Sequence, residues 1–194
     1  MSNTVNTIDP STGEKIAEYQ LLSQEQASAA IDRADAAFQA WRLESFANRG
    51  KVLNKMADLI EQHSDELAQL MTREMGKPID QGGQECQLCA AICRYSAEQG
   101  PDQLADETRP LEGGRALISY QPIGVILGIQ PWNFPLYQVI RYSACNIMAG
   151  NTTVLKHASN VFGMAQKIEQ LYLEAGLPEG VFQSLLMDGA SAGK

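Results

Sequence analysis

One residue suited to chemistry, Asn133, lies in a short loop after a nearly continuous apolar run. Pro131 and Pro135 stiffen this loop, so the Asn133 side chain can be held in one orientation. A neutral amide held in this way is a suitable hydrogen-bond donor to a developing oxyanion. An asparagine that caps a turn is the alternative interpretation, and the residue types agree equally with both.

A second polar residue, Lys156, ends another short apolar segment at residues 152–156. The carboxyl ends of parallel strands meet at one edge of a sheet, where ligands of open α/β folds bind. We therefore expect Lys156 and Asn133 at the same edge. An ammonium there can reach ribose hydroxyls or a phosphate, and an ordinary surface lysine is the alternative.

Three cysteines share one face of a predicted helix: Cys86, Cys89 and Cys93. No nearby histidine or cysteine completes a zinc site, so we expect buried thiols and no metal. Cys145 lies in an apolar helical segment and is expected to be packed too. Neither His63 nor His157 has a neighbouring serine or cysteine that would indicate a nucleophile and its base. No G-x-G-x-x-G dinucleotide motif follows a strand.

Helical spacing of apolar residues predicts four helices before residue 106. Ser23 and Ser64 are the expected N-caps of the first and third helices. Gly76 is the expected end of the third helix, and Gly100 with Pro101 that of the fourth. The expected segments are 24–42, 52–60, 65–75 and 84–98.

The pattern changes from residue 106 onward, where 106–114 is rich in turn residues and 115–121 alternates like a strand. The segments that follow indicate strand, helix, strand, helix, strand, and the first is an apolar run expected to be covered on both faces. This order is one half of a doubly wound parallel sheet, which normally has more strands, so an incomplete fold is expected. The expected segments are 123–129, 136–148, 152–156, 161–174 and 181–187.

The chain is acidic, with a formal net charge of −8 from 15 basic and 23 acidic residues among 194. Unspecific binding to nucleic acid or to an anionic membrane requires positive charge, so neither is expected. The N-terminus has no basic segment followed by an apolar one, and no run of apolar residues is long enough to span a bilayer. We therefore expect a cytoplasmic protein.

Several motifs along nearly the whole chain closely resemble the aldehyde dehydrogenase superfamily. They are found at residues 74–78, 122–125, 129–135, 149–156 and 175–181. Arg141 and residues 155–158 look most like those of bacterial NAD(P)-dependent succinate-semialdehyde dehydrogenases.

The resemblance implies an aldehyde dehydrogenase-like α/β fold, of which this chain would form an incomplete Rossmann-like parallel sheet. Residues 1–106 would be the N-terminal helical part of the cofactor-binding domain, and 107–121 strands of an oligomerisation β arm. Residues 122–194 would be the first βαβαβ half of the NAD(P)-binding domain. The catalytic domain is expected to be absent from the chain.

The resemblance also implies roles for individual residues. Asn133 matches the asparagine that stabilises the oxyanion, and Lys156 matches the lysine that binds the adenosine ribose. Ser159 stands where the family often has an acidic residue. Its neutral side chain does not repel the 2′-phosphate of NADP, so either NAD or NADP is expected as the cofactor. The residues expected on the nicotinamide side of the cofactor are Ile129, Gln130, Pro131 and Trp132.

Arg141 and Phe134 match positions that contact the substrate in the related semialdehyde dehydrogenases. A guanidinium is well shaped for bidentate binding of a carboxylate. A structural ion pair is the alternative interpretation for Arg141.

The resemblance implies a homo-oligomeric enzyme, a dimer or tetramer, that oxidises a small aldehyde to the carboxylic acid through a cysteine thioester. Succinate semialdehyde is the expected substrate. The cysteine nucleophile and glutamate base of the family are expected beyond residue 194, so this chain alone is expected to be inactive. A truncated, non-catalytic module that binds nucleotide or another subunit is the alternative of a different class.

Overall fold

A computed structural model describes residues 4–193 of the chain. Within them, two antiparallel strand pairs and one three-stranded parallel sheet accompany six α-helices. The elements in chain order are β1 (Thr4–Ile8), β2 (Lys15–Gln20), α1 (Gln24–Trp41), α2 (Phe46–Gln62), α3 (Ser64–Met75), α4 (Ile79–Gln103), β3 (Glu107–Leu111), β4 (Gly114–Ile118), β5 (Val125–Gln130), α5 (Tyr137–Ala149), β6 (Thr152–His157), a 3-10 turn (Ser159–Val161), α6 (Phe162–Glu174) and β7 (Phe182–Ser184).

Local signals set most of the helix ends in the first half of the chain. The Ser23 side chain accepts from the Gln26 N–H while the Gln26 side chain accepts from the Ser23 N–H, which confirms the predicted start of α1. The predicted cap at Ser64 is wrong, because His63 is the single residue between α2 and α3 and Ser64 already lies in the first turn. Gly76 ends α3 in the left-handed conformation, as predicted.

Helix α4 is longer at both ends than the predicted segment at 84–98, because it includes Gly82 and continues through Gly100, which was interpreted as its end. A Cβ on Gly82 would lie 2.9 Å from the Ala68 Cα of α3, and one on Gly100 would lie 2.5 Å from the Met148 Cγ of α5. The glycines therefore let α4 approach both neighbours closely. This tertiary packing overrides their low helix propensity.

The predicted alternation of strands and helices is confirmed, with α5 and α6 as the connections, and β6 lies at the centre of the parallel sheet between β5 and β7. Leu155 of β6 packs into the main core, to which all six helices contribute, whereas Val154 faces a smaller core against α1. Strand β7 is shorter than the predicted segment 181–187, since Leu185 and Met187 pack against α1 after the strand has ended.

The prediction that both faces of the run at 123–129 are covered is wrong for one face. Leu127 of β5 is 54% exposed and Ile129 is 64% exposed. Helix α1 lies mainly against β6, and β5 is an edge strand of the sheet formed by the described residues. An apolar surface on β5 is therefore open.

Two antiparallel strand pairs accompany this sheet. The first, β1 with β2, was not predicted and packs beside α3 and the 3-10 turn. The second, β3 with β4, turns at Gly113 and occupies most of the segment predicted as an arm, although its second strand ends at Ile118 rather than at 121. None of the helices in the described part of the chain has the length and hydropathy needed to cross a membrane.

Candidate functional site

Strand direction brings the two predicted polar residues to one edge of the sheet. Because β5 and β6 are parallel, Ile129 lies opposite Lys156 and Gln130 lies opposite His157. The loop that carries Asn133 begins directly after Gln130. The expectation that Asn133 and Lys156 share the carboxyl edge is thus confirmed.

The loop after β5 presents its side chains outward. Trp132 is 51% exposed, and Asn133 and Phe134 are also exposed. The Asn133 amide makes no hydrogen bond to any other residue within 4–193, so it does not act as a cap there. Its N–H groups are free to donate to a molecule bound at the edge of the sheet.

A buried carboxylate, Glu85 of α4, holds the end of this loop. Its Oε1 accepts hydrogen bonds from the backbone N–H groups of Leu136 and Tyr137, both at 2.9 Å. These groups are the first donors of α5, which has no side-chain cap of its own. The other oxygen, Oε2, pairs with Lys77, whose ammonium also lies 3.9 Å from the centre of the Phe134 ring.

A second buried side chain, His157 of β6, holds the middle of the loop. Its Nε2 lies 2.9 Å from the Pro135 carbonyl, and its Nδ1 accepts from the Ala158 N–H at 3.0 Å. Burial lowers the pKa of His157 and so favours the neutral ring, whose Nδ1 also lies 3.2 Å from the Gln130 carbonyl oxygen. Sequence reasoning missed this histidine, because its partner is a backbone carbonyl 22 residues away.

Lys156 lies beside a cavity of about 320 Å³ on the open face of the sheet. Its lining is mainly apolar, and Lys156 is the one charged side chain among the described residues that form it. The lining residues are Gln24, Ala27, Ile31, Val125, Leu127, Ile129, Val154, Lys156, Leu185, Met187, Ser191 and Ala192. An apolar cleft with one cation at its edge can hold a planar ring together with a polar or anionic group.

Ser159 begins the 3-10 turn that leads into α6. The start of α6 is held by another buried carboxylate, Glu74, which accepts from the Gly163 N–H at 2.8 Å and the Met164 N–H at 3.0 Å. Burial raises the pKa of Glu74 to about 7, although these two hydrogen bonds act in the opposite direction. Glu74 belongs to a motif noted in the sequence, but its contact with α6 spans 89 residues and has no local signal.

Arg141 is exposed on α5, and its guanidinium lies 5.7 Å from the centre of the Tyr137 ring. That ring makes an edge contact with Phe134, with 6.0 Å between the ring centres. Arg141 has no ion-pair partner in the part of the chain that the structure describes, so the structural ion pair considered for it is not observed. The two residues predicted to contact the substrate are therefore linked through Tyr137.

Three of the four cysteines are buried, as predicted: Cys86, Cys89 and Cys93. Burial raises the pKa of each of these thiols, to about 11 for Cys86. The prediction for Cys145 is wrong, because it lies on the exposed side of α5, where its thiol bonds to the carbonyls of Arg141 and Tyr142. Residues 4–193 contain no group of side chains that could hold a metal ion.

Comparison with known proteins gives consistent results. The model of the aldehyde dehydrogenase family matches residues 1–194. A probable succinate-semialdehyde dehydrogenase (NADP(+)) of Synechocystis sp. is 46% identical over 188 residues, which cover 97% of this chain and 41% of that protein. The succinate semialdehyde dehydrogenase (NAD(P)+) Sad of Escherichia coli is 41% identical over 182 residues, covering 94% of this chain and 39% of that protein.

A solved structure gives the same relationship at the level of the fold. The succinic semialdehyde dehydrogenase of Streptococcus pyogenes, in complex with NADP+ as the cofactor, superposes with a TM-score of 0.92 at 34% identity. The match covers 96% of this chain and 41% of that one, so the chain spans about two fifths of its relatives' length. The predicted fold is confirmed, and the chain belongs to the aldehyde dehydrogenase family.

Proposed function

We propose that this chain is the N-terminal, cofactor-binding part of an NAD(P)-dependent aldehyde dehydrogenase that oxidises succinate semialdehyde to the carboxylic acid. The observation that carries the proposal is the exposed, unbonded amide of Asn133 at the same sheet edge as Lys156, in a chain of this family. The names of the Synechocystis and Escherichia coli relatives support the substrate and the cofactor.

The residues at the edge of the sheet fit a dinucleotide. Lys156 can donate to ribose hydroxyls or a phosphate, and Ile129 offers an apolar surface beside it. Ser159 places no negative charge after β6, so a 2′-phosphate meets no repulsion from that side chain. We propose that the segment from Ile129 to Trp132 lines the nicotinamide side, with Gln130 and Pro131 between them. The bound NAD(P) supplies the hydride acceptor.

Asn133 acts on the substrate oxygen in this proposal. Addition of a nucleophile to the aldehyde carbon places negative charge on that oxygen, and the Asn133 N–H donates to it. Within this chain no thiol serves as the nucleophile, because three are buried and Cys145 hydrogen bonds to carbonyls of its own helix. We propose that the family's thioester route uses a cysteine outside residues 1–194, and that these residues alone do not oxidise aldehydes.

The test of the function uses the full-length protein, with succinate semialdehyde and with NAD or NADP. Asn133→Ala should lower kcat by about 100–1,000-fold, the typical loss on removing one oxyanion donor. The affinity for NADP should not change, and Asn54→Ala, which alters an exposed asparagine on α2, is the matched control. Wild-type kcat in the Asn133 variant, or no oxidation of any aldehyde by the wild type, would contradict the proposal.

The proposed substrate has a carboxylate, for which we assign Arg141 and Phe134 as contacts. Arg141→Ala should raise KM for succinate semialdehyde by about 10–100-fold, as expected for loss of a charge-assisted hydrogen bond. KM for butanal, which has no carboxylate, should change little, and Arg73→Ala, which alters an exposed arginine on α3, should change neither value. Equal effects of Arg141→Ala on both aldehydes would remove Arg141 from this role.

A second function is favoured by one surface, the hairpin of β3 and β4. Leu111 and Leu117 are each 62% exposed there. Exposed apolar side chains on a short strand pair are typical of a surface that another subunit covers. We propose that this hairpin is the oligomerisation arm of a dimer or tetramer, and an inactive subunit-interaction module is the alternative. Aldehyde oxidation by the full-length protein would contradict the inactive module and leave the oligomerisation arm as the proposed role of the hairpin.

A further inference from the structure

The loop that carries Asn133 has an unusual anchor, because the helix after it lacks a cap from its own sequence. The N-cap position of α5 is Leu136, an apolar residue that cannot accept a hydrogen bond from the first N–H groups. Those groups, on Leu136 and Tyr137, instead share one oxygen of Glu85, which is 51 residues away in sequence. The first two N–H groups of α5 therefore depend on one distant side chain for their acceptor.

The Glu85 carboxylate is itself fixed by Lys77. Both side chains are buried, with 1% of Glu85 and 4% of Lys77 exposed. The two carboxylate oxygens have separate partners, since Oε1 accepts from the backbone at the end of the loop and Oε2 accepts from the Lys77 ammonium. Lys77 also contacts the Phe134 ring, one residue after Asn133. The ion pair of Glu85 and Lys77 thus contacts both the backbone of the loop and one of the loop's side chains.

We propose that Glu85, held by Lys77, is a positioning residue that sets the orientation of the Asn133 amide for the reaction. This inference rests on the proposed function. Only two residues separate Asn133 from the N–H of Leu136, and His157 fixes the Pro135 carbonyl between them. Loss of the Glu85 acceptor frees the end of the loop while the sheet beneath it stays intact. Misplacement of a catalytic group by about 1 Å can lower a rate about 100-fold.

The test compares two double variants of the full-length protein that differ at one residue. Glu85→Gln with Lys77→Met keeps an acceptor oxygen near the loop, whereas Glu85→Leu with Lys77→Met removes it. Both lack the ion pair, so neither leaves an unpaired buried charge. The first double variant, called the Gln pair, restores the acceptor oxygen that the second, called the Leu pair, lacks.

The first readout is 19F NMR of protein labelled with 5-fluorotryptophan, which needs no activity. Trp132 reports on the loop, and Trp41, which is buried and donates to the Ile147 carbonyl, reports on the core. Trp→Phe variants assign the two signals. In the Leu pair we expect the Trp132 signal to shift or broaden while the Trp41 signal stays in place. In the Gln pair both signals should resemble those of the wild type.

The second readout is steady-state kinetics. The Leu pair should lower kcat about 10–100-fold with little change in KM for NADP, and the Gln pair should recover most of the loss. An unchanged Trp132 signal in the Leu pair, equal loss of kcat in both pairs, or joint movement of the Trp41 and Trp132 signals would each overturn the proposal. If the wild type oxidises no aldehyde, the proposed function fails, while the NMR comparison still decides whether Glu85 positions the loop.

Discussion

The two helices that connect the parallel strands, α5 and α6, both begin at a buried carboxylate supplied by a distant part of the chain. At α5 the acceptor is Glu85, which is paired with Lys77. At α6 the acceptor is Glu74, which has no ion-pair partner among the described residues and whose pKa burial raises to about 7. Both carboxylates accept hydrogen bonds from the first N–H groups of a helix. The one at α5 is paired with a cation, whereas the one at α6 has a raised pKa and no cation partner among the described residues.

The difference shows where each helix start can tolerate change. A buried ion pair fixes geometry but leaves a costly unpaired charge when one partner is lost. A lone buried carboxyl can instead gain or lose a proton, so its strength as an acceptor changes with pH. We expect the start of α5, beside Asn133, to be sensitive to mutation of Lys77. We expect the start of α6 to depend on pH through Glu74.

The largest effect expected from this comparison is that of Lys77→Met. It leaves the Glu85 carboxylate buried and without its cation, which should lower the free energy of unfolding by about 3–5 kcal/mol. Arg73→Met is the matched control, because Arg73 precedes Glu74 but is exposed, and an exposed change should cost less than about 0.5 kcal/mol. Urea unfolding of the full-length protein measures both. Equal losses would mean that the two carboxylates do not differ as described.

A smaller effect should appear in the pH dependence. The pKa of Glu74 is raised from 4.5 to about 7, so the folded protein holds this proton more tightly than the unfolded chain. Its contribution is then fully present below about pH 4.5 and is lost as pH rises to about 7. Relative to Glu74→Gln, the wild type should lose on the order of 3 kcal/mol over that range.

This pH dependence is measured by urea unfolding of both proteins between pH 5 and pH 8, where only the difference between their unfolding free energies is interpreted. Groups that titrate identically in both proteins cancel in that difference. A difference that does not depend on pH would show that Glu74 does not change its protonation over this range. A difference that grows in favour of the wild type with rising pH would reverse the sign of the argument.

The parts of this molecule that could be predicted from sequence depend on short-range signals. The start of α1 follows from Ser23 and Gln26, and the left-handed Gly76 ends α3 where the pattern indicated. The common edge of Asn133 and Lys156 follows from the alternation of strands and helices alone, because parallel strands end on the same side.

The parts that could not be predicted depend on contacts between distant residues. Glu85 and Glu74 look like ordinary helix residues in the sequence, and their partners lie 51 and 89 residues later. Cys145 was wrongly placed in the core because an apolar segment does not reveal which side of its helix is covered. The exposed face of β5 was missed for the same reason, since an apolar run does not show which elements pack against it.

The order of the carboxylates and of the helices that they cap has a consequence for synthesis on the ribosome. Glu85 is translated 51 residues before Leu136, which corresponds to roughly 3–10 s at a rate of about 5–20 residues per second. The α3–α4 hairpin can therefore form before the starts of α5 and α6, which donate to its two carboxylates, have been synthesised. Each new helix then meets an acceptor that is already in place, which favours vectorial assembly of the sheet onto the helical layer.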